Sequence, residues 1–397
     1  MPGDFPALQD LESRLAELDS RMLRRHRRIQ QQPCGPETLV AERCLLSFAS
    51  NDYLGLANAP ELIEAAQEAA GRWGVGAGAS HLVSGHTEIH EHMEARIAAF
   101  VGMPAAISFS TGYLANVAVM PALLGRGDAI FADRLNHASL VDGALLARAE
   151  LNRYAHLDLT TLARQLEAST ARRKLIVTDS VFSMDGDIAP LAALLQLAEA
   201  HDAWLLVDDA HGFGVLGPQG RGCLAEAGLQ SARLILMGTL GKAAGVAGAF
   251  VAGHATLIDW LMQSSRPYIF TTAAPPLLAA TVVRALQLIE AGDDRRAHLQ
   301  KLIARLQRGM ADSGLKVEAS RTAIQPILVG DNARALALSR QLEMRGLQVP
   351  AIRPPTVPQG TARLRVSLSA AHSLADVDRL LAALREVEDT ESGLTST

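Results

Sequence analysis

The chain has 397 residues, 49% of them hydrophobic and 20% charged, with a formal net charge of -5 and an isoelectric point near 6.2. It is long enough for one large and one smaller globular domain, and it offers no basic field for nucleic acid. No apolar stretch reaches the roughly 20 residues of a membrane span. Cys34, Cys44 and Cys223 are too few and too scattered for a disulfide framework or a zinc site, so reduced thiols in a cytoplasmic protein are expected.

Leu8, Leu11, Leu15, Leu18 and Met22 keep helical spacing, which predicts an amphipathic first helix docked on the body. Asp4, Asp10, Glu12, Glu17 and Asp19 precede Arg24, Arg25, Arg27 and Arg28, and that acidity argues against a transit peptide. Residues 1–47 are therefore read as a helix and an arm. Over 48–285 apolar runs alternate with helical patterns. The predicted strands are Ala105–Phe109, Ala129–Ala132, Leu175–Val177, Trp204–Val207, Leu234–Met237 and Ala249–Val251, with helices at Ile89–Phe100, Leu159–Leu166 and Leu191–Ala200. Strands without polar alternation are buried on both faces, so an α/β sandwich around a mostly parallel sheet follows. After 285 the texture changes. A helix pattern over Ala279–Ala291 continues through Leu299–Met310, then come strands at Gln325–Val329 and Ala362–Leu368 and a helix at Leu374–Val387. These predict a smaller α+β domain over 286–387, followed by a disordered tail, 388–397.

Ligands of an open parallel sheet bind at the carboxyl ends of its strands. Lys242 follows the run Leu234–Met237 within the glycine-rich Gly238-Thr-Leu-Gly-Lys-Ala-Ala-Gly-Val-Ala-Gly248; burial there favours a neutral amine able to form a Schiff base. Thirty-four residues earlier Asp208 ends another run. An amine for an aldehyde carbon and a carboxylate for a ring nitrogen are what pyridoxal phosphate (PLP) requires. Ser110-Thr-Gly-Tyr-Leu-Ala-Asn116 opens a helix whose N-terminus suits a phosphate, or is simply capped by Ser110 or Thr111. His137 is placed to cover a flat ring, or is a loop histidine, and Ser183 can donate a hydrogen bond to a ring oxygen. Asp208, Asp209 and His211 invite a metal, but no further cluster completes a coordination set. Gly74-Val-Gly-Ala-Gly78 follows a helical pattern and not a strand, which argues against a dinucleotide site.

From about Arg24 to Leu384 the chain resembles the α-oxoamine synthases, a branch of the fold-type I PLP enzymes. The segments that carry the likeness are Phe48-Ala-Ser-Asn-Asp-Tyr-Leu-Gly-Leu56, Val177-Thr-Asp-Ser-Val-Phe-Ser-Met-Asp-Gly-Asp187, Val207-Asp-Asp-Ala-His-Gly212, Gly217-Pro-Gln-Gly-Arg-Gly222 and Thr239-Leu-Gly-Lys242. Ile352-Arg-Pro-Pro-Thr-Val-Pro-Gln-Gly-Thr-Ala-Arg-Leu-Arg365 and Ser369-Ala-Ala-His372 resemble the biotin-pathway branch. The likeness implies a mostly parallel seven-stranded sheet between helices, a smaller C-terminal domain and a homodimer with composite sites. It implies an acyltransferase that condenses L-alanine with pimeloyl-CoA, or a pimeloyl carrier protein, with loss of CO2. By the same likeness Lys242 carries the cofactor, Asp208 pairs with the pyridine nitrogen, His211 and Ser183 bond the phenolic oxygen, and His137 stacks on the ring. Gly112, Tyr113 and Thr239 would hold the phosphate, Thr272 that of the neighbouring subunit's cofactor, Arg353 the alanine carboxylate, and Arg24 and Thr356 the acyl side. Two positions depart from the pattern. His81 stands where a glycine is expected, which bears on acyl-chain fit, and Asp179 where glutamate is common.

Overall fold

Six apolar segments and one polar one pair into one sheet: β1 (Ala105–Phe109), β2 (Ala129–Asp133), β3 (Glu150–Tyr154), β4 (Lys174–Asp179), β5 (Ala203–Asp208), β6 (Leu234–Thr239) and β7 (Ala249–Gly253). Their order is β1-β7-β6-β5-β4-β2-β3. Neighbours are parallel except that β7 runs antiparallel to both β1 and β6. The computed structural model describes residues 6–311, 313–318 and 320–394, without side chains beyond 388. It divides into two units, the larger being Asn51–Gln300 with Ser369–Ala371.

Every residue of β2 and β7 is buried, as expected of strands covered on both faces. Ile107, Val119, Met120, Ile130, Val177, Leu206, Ile235, Met237 and Val251 lie in one apolar cluster with the helix Gly112–Leu123. Burial of such side chains contributes about 1.5–3 kcal/mol each, enough to fix the strand register. That register sets Asp179 opposite Asp208 and Asp208 opposite Met237, so polar residues collect at one end of the sheet. Strand β3 was not legible as an apolar run, because it is a polar edge strand with only Tyr154 buried.

The smaller unit holds the described residues up to Ser50, Lys301–Leu368 and those from His372 onward. Ile324–Gly330 and Ala362–Ser367 pair antiparallel at its centre. The segment read from sequence as an arm contains a hairpin, Glu37–Val40 with Arg43–Ser47, whose second strand takes Leu347–Gln348 as a parallel neighbour.

Three expectations need correction. Pro6–Ser20 is helical, but none of its residues is buried, and Leu8 is 53% exposed; the stripe is present and the docking is not. The long helix pattern is two helices, Pro276–Glu290 and Asp293–Met310. Gly292 breaks it, at the ~1 kcal/mol that glycine costs a helix, and Asp293 and Asp294 favour a new N-terminus. The tail is helical as far as Leu394. Glu388 there accepts from the Ser313 hydroxyl and the Gly314 N–H, and extending an existing helix needs only one further bond per residue. Residues 395–397 lie outside the described ones.

Candidate active site

In the larger unit, β6 is followed by a tight loop back into β7. Leu240 N–H donates to Gly248 O, Val246 N–H to Leu240 O and Gly245 N–H to Lys242 O. Gly245 has φ +70°, and a Cβ there would lie 2.6 Å from Ala57 N, so only glycine fits both the conformation and the space. This loop sets Lys242 Nζ 2.8 Å from His211 Nε2. His211 Nδ1 lies 2.6 Å from the Tyr53 hydroxyl, which donates to Asn51 Oδ1 at 3.1 Å. The imidazole thus links the lysine amine on one side to the tyrosine hydroxyl on the other.

Asp208 is buried at the end of β5. Its Oδ2 accepts from Asn116 Nδ2 at 2.7 Å and its Oδ1 from Ala210 N–H at 3.0 Å. Asn116 Nδ2 also reaches Ser139 Oγ at 2.9 Å, while Asn116 Oδ1 is buried without a partner. Sequence reading gave Asn116 and Tyr53 no role, although both fall inside the quoted segments. Asp209 points to different partners: Ser180 Oγ donates to it at 2.5 Å and Cys223 N–H at 3.0 Å. Burial pushes its carboxyl up to about 6 against those bonds.

His137 caps the helix Ala138–Ala147, its Nδ1 accepting from Ser139 N–H. Its own N–H donates to Asp179 Oδ2 at 2.8 Å, which gives the unexpected aspartate a structural task. Burial pushes the His137 imidazole down, with the charge of Lys242 adding to this and that of Asp208 opposing it. Burial, then the charge of Asp208, pushes Asp179 well above the usual carboxylate range.

Thr111 caps the helix Gly112–Leu123, its hydroxyl taking Leu114 N–H and its carbonyl Ala115 N–H. The N–H groups of Gly112 and Tyr113 stand at the open, positive end of that helix. The Tyr113 side chain donates to Asp142, and Thr239 Oγ donates to Gly248 O at 3.2 Å. Ser183 sits in a turn closed by Gly186 N–H on Phe182 O. Thr272 forms an antiparallel bridge with Ser80, next to His81. That imidazole stacks on Tyr268 at 4.7 Å and lies 2.8 Å from His86 Nδ1; burial and the neighbouring His86 and His90 bring its pKa down to about 4.

Arg24, Arg353 and Thr356 belong to the smaller unit. Arg24 pairs with Asp19 at 2.6 Å, Arg353 donates to Met22 O, and Thr356 accepts from Arg25 at 3.2 Å. In the larger unit an amine, a fixed carboxylate and an open helix N-terminus form a set that fits PLP: covalent anchor, ring-nitrogen partner and phosphate cradle.

The profile of the aminotransferase class I and II family matches residues 44–384. The 8-amino-7-oxononanoate synthase of Aromatoleum aromaticum is 65% identical over 96% of this chain and 99% of its own. That of Azoarcus sp. is 62% identical over 97% and 99%. The chain belongs to the 8-amino-7-oxononanoate synthases. Among solved structures, the fold matches a serine palmitoyltransferase from S. paucimobilis with bound PLP–myriocin aldimine, at TM-score 0.90 and 29% identity over 97% of this chain and 98% of that one. The 8-amino-7-oxononanoate synthase of Francisella tularensis matches at TM-score 0.77 and 31% identity over 88% and 99%. Membership of this family rests on sequence identity about twice that shared with serine palmitoyltransferase, since backbone shape alone does not separate the two.

Proposed function

We propose that the chain catalyses the PLP-dependent decarboxylative condensation of L-alanine with a pimeloyl thioester of CoA or of a carrier protein. The products are 8-amino-7-oxononanoate, CO2 and the free thiol, in biotin biosynthesis. The observation that carries the chemistry is the 2.8 Å contact of Lys242 Nζ with His211 Nε2, in the loop that follows β6, the strand neighbouring the one that ends in Asp208. The substrate assignment draws its support from the near full-length relatives.

PLP, when bound, supplies the electron sink that lets a proton leave the substrate Cα. Asp208, fixed by Asn116 and Ala210, holds a proton on the ring nitrogen. Lys242 Nζ would hold the cofactor at its aldehyde carbon and is the amine placed to take the Cα proton of the substrate. His211 Nε2 and Ser183 orient the ring through its phenolic oxygen. His137, whose imidazole burial shifts toward its neutral form, would cover the ring face. The Gly112 and Tyr113 N–H groups and the Thr239 hydroxyl take the phosphate.

Arg353 takes the alanine carboxylate, and Arg24 and Thr356 line the acyl side. For Arg353 the support is its own side chain: its Nε is buried without a partner, and burial together with the charges of Arg25 and Arg340 pushes its guanidinium pKa down. Thr272 completes the site of a second subunit in a homodimer. Support for that comes from exposed apolar side chains beside its bridge to Ser80, with Val83 79% and Phe270 69% exposed. Among the described residues no helix is long and apolar enough to cross a membrane, and we place the enzyme in the cytoplasm.

The test is product formation from L-alanine and pimeloyl-CoA by the purified protein with PLP, read by mass spectrometry. A panel of glycine and serine with acetyl, succinyl and palmitoyl thioesters runs beside it. Faster turnover of any of those pairs would overturn the substrate assignment and leave the cofactor chemistry standing.

A further inference from the structure

His156 lies outside every motif above, yet its surroundings are built. Nδ1 lies 3.1 Å from both oxygens of Asp133, and Nε2 lies 2.7 Å from Asp187 Oδ2. The ring stands edge-on to Phe182, with 4.4 Å between centroids at 86°. An ionised carboxylate only accepts hydrogen bonds, and Asp133 accepts two more, from Leu135 N–H at 2.8 Å and Leu157 N–H at 2.9 Å. Two ring nitrogens that both face acceptors must both carry hydrogen, so His156 is an imidazolium. Burial pushes its pKa down, but the bonds to Asp133 and Asp187 and their charges outweigh this and bring it up to about 10.

The two carboxylates belong to different parts of the site. Asp133 ends β2, four residues before His137. Asp187 closes the turn that carries Ser183: its carbonyl accepts Phe182 N–H at 3.0 Å, and Val181 bridges Ile188. Asp187 Oδ1 is buried without a partner, so the hold on this carboxylate runs through Oδ2 and His156. Leu157 adopts φ +59°, a conformation that a leucine avoids unless its surroundings enforce it.

We propose that His156 is a positioning residue, a charged bridge that fixes the Ser183 turn against the strand end leading to His137. Its effect on catalysis rests on the roles proposed above for those two residues. Neither motif spacing nor a cofactor contact marks it; only the fold brings Asp133 and Asp187 to opposite sides of one ring.

The test uses the full-length protein with and without PLP. His156→Gln cannot serve both carboxylates, because its amide donates to one while its carbonyl faces the other. In the PLP-free protein we expect amide exchange over residues 180–189 to quicken by roughly ten-fold or more, as local opening becomes easier, with the helix Gly112–Leu123 unchanged. In the loaded enzyme the visible band of the lysine-bound cofactor should shift, and kcat should fall by on the order of 10²-fold, the weight of a small misplacement, with KM for the thioester little changed. Unchanged exchange over 180–189, or a uniform rise across the unit, overturns the proposal. If His156→Gln does not fold, Asp187→Asn carries the test, since it keeps an acceptor for Nε2–H and removes the charge; quickened exchange confined to 180–189 supports the bridge, and none overturns it. Wild-type protein that takes up no PLP would instead strike the functional reading, leaving the exchange result to stand by itself.

Discussion

The two units hold the side chains proposed above for the reaction differently. In the larger unit each is bound in place by its neighbours: Asp208 by Asn116 and Ala210, His211 by Tyr53 and Lys242, His137 by Ser139 and Asp179. In the smaller unit Arg353 spends its guanidinium on the Met22 carbonyl, with Nε left over, and Arg24 pairs with exposed Asp19. A cofactor that stays bound through many turnovers suits a prebuilt frame, where no reorganisation precedes each cycle. A substrate that leaves every cycle suits side chains held by contacts that a carboxylate can outcompete.

Substitution in the prebuilt half should break this contrast most severely. We expect Lys242→Ala to abolish measurable turnover and the lysine-bound absorbance while PLP still binds through its phosphate and ring contacts; turnover equal to wild type would remove Lys242 from the mechanism. Asp208→Asn should lower kcat by roughly 10²- to 10⁴-fold, the weight of an electrostatic or acid–base group, with the melting temperature nearly unchanged. Asp209→Asn should do the reverse, because Asp209 binds Ser180 and Cys223; if instead it has the larger kinetic defect, the wrong carboxylate faces the ring.

The exchangeable half should respond in binding and not in chemistry. Arg353→Ala should weaken alanine binding by a factor on the order of 10 to 100, the range of a charged hydrogen bond, while the resting cofactor spectrum stays as it is. A titration curve that overlays the wild type would show that Arg353 serves the Met22 carbonyl alone. Tyr53→Phe sharpens the comparison more gently: loss of one hydrogen bond to His211, worth ~1 kcal/mol, should cost about five-fold in kcat. The smallest effect concerns stability against pH. The pKa of His156 is raised from 6.5 to about 10, so its stabilising contribution is complete below the unfolded value and is lost as pH rises through that window. The melting temperature should therefore fall more steeply between these limits in wild type than in His156→Gln, and parallel curves would contradict the charged bridge.

Much of this was legible in the sequence because buried parallel strands announce themselves as apolar runs. Six of the seven sheet strands were read from such runs, and Lys242 and Asp208 follow from lying at their ends. What escaped was polar or distant. Strand β3 carries Glu150, Asn152 and Arg153 at a sheet edge, so its pattern has no apolar period. The hairpin at Glu37–Ser47 makes sense only with Leu347–Gln348 beside it, a pairing no local window contains. His156 is one histidine in a loop until β2 and the Ser183 turn are folded around it. The docking of the first helix was inferred from its stripe alone, and a stripe states which face is apolar without stating what lies against it.

The lone antiparallel strand has a consequence for how the protein comes into being. β1 precedes the other six strands in the chain, yet its hydrogen-bonded neighbour in the sheet is β7, the last to be made. At roughly 5–20 residues per second of synthesis, the strand that aims Gly112 and Tyr113 waits on the order of ten seconds for its partner. The hairpin that delivers this partner is the one that bears Lys242. The segments proposed above as phosphate cradle and covalent anchor are thus brought together by a single late pairing.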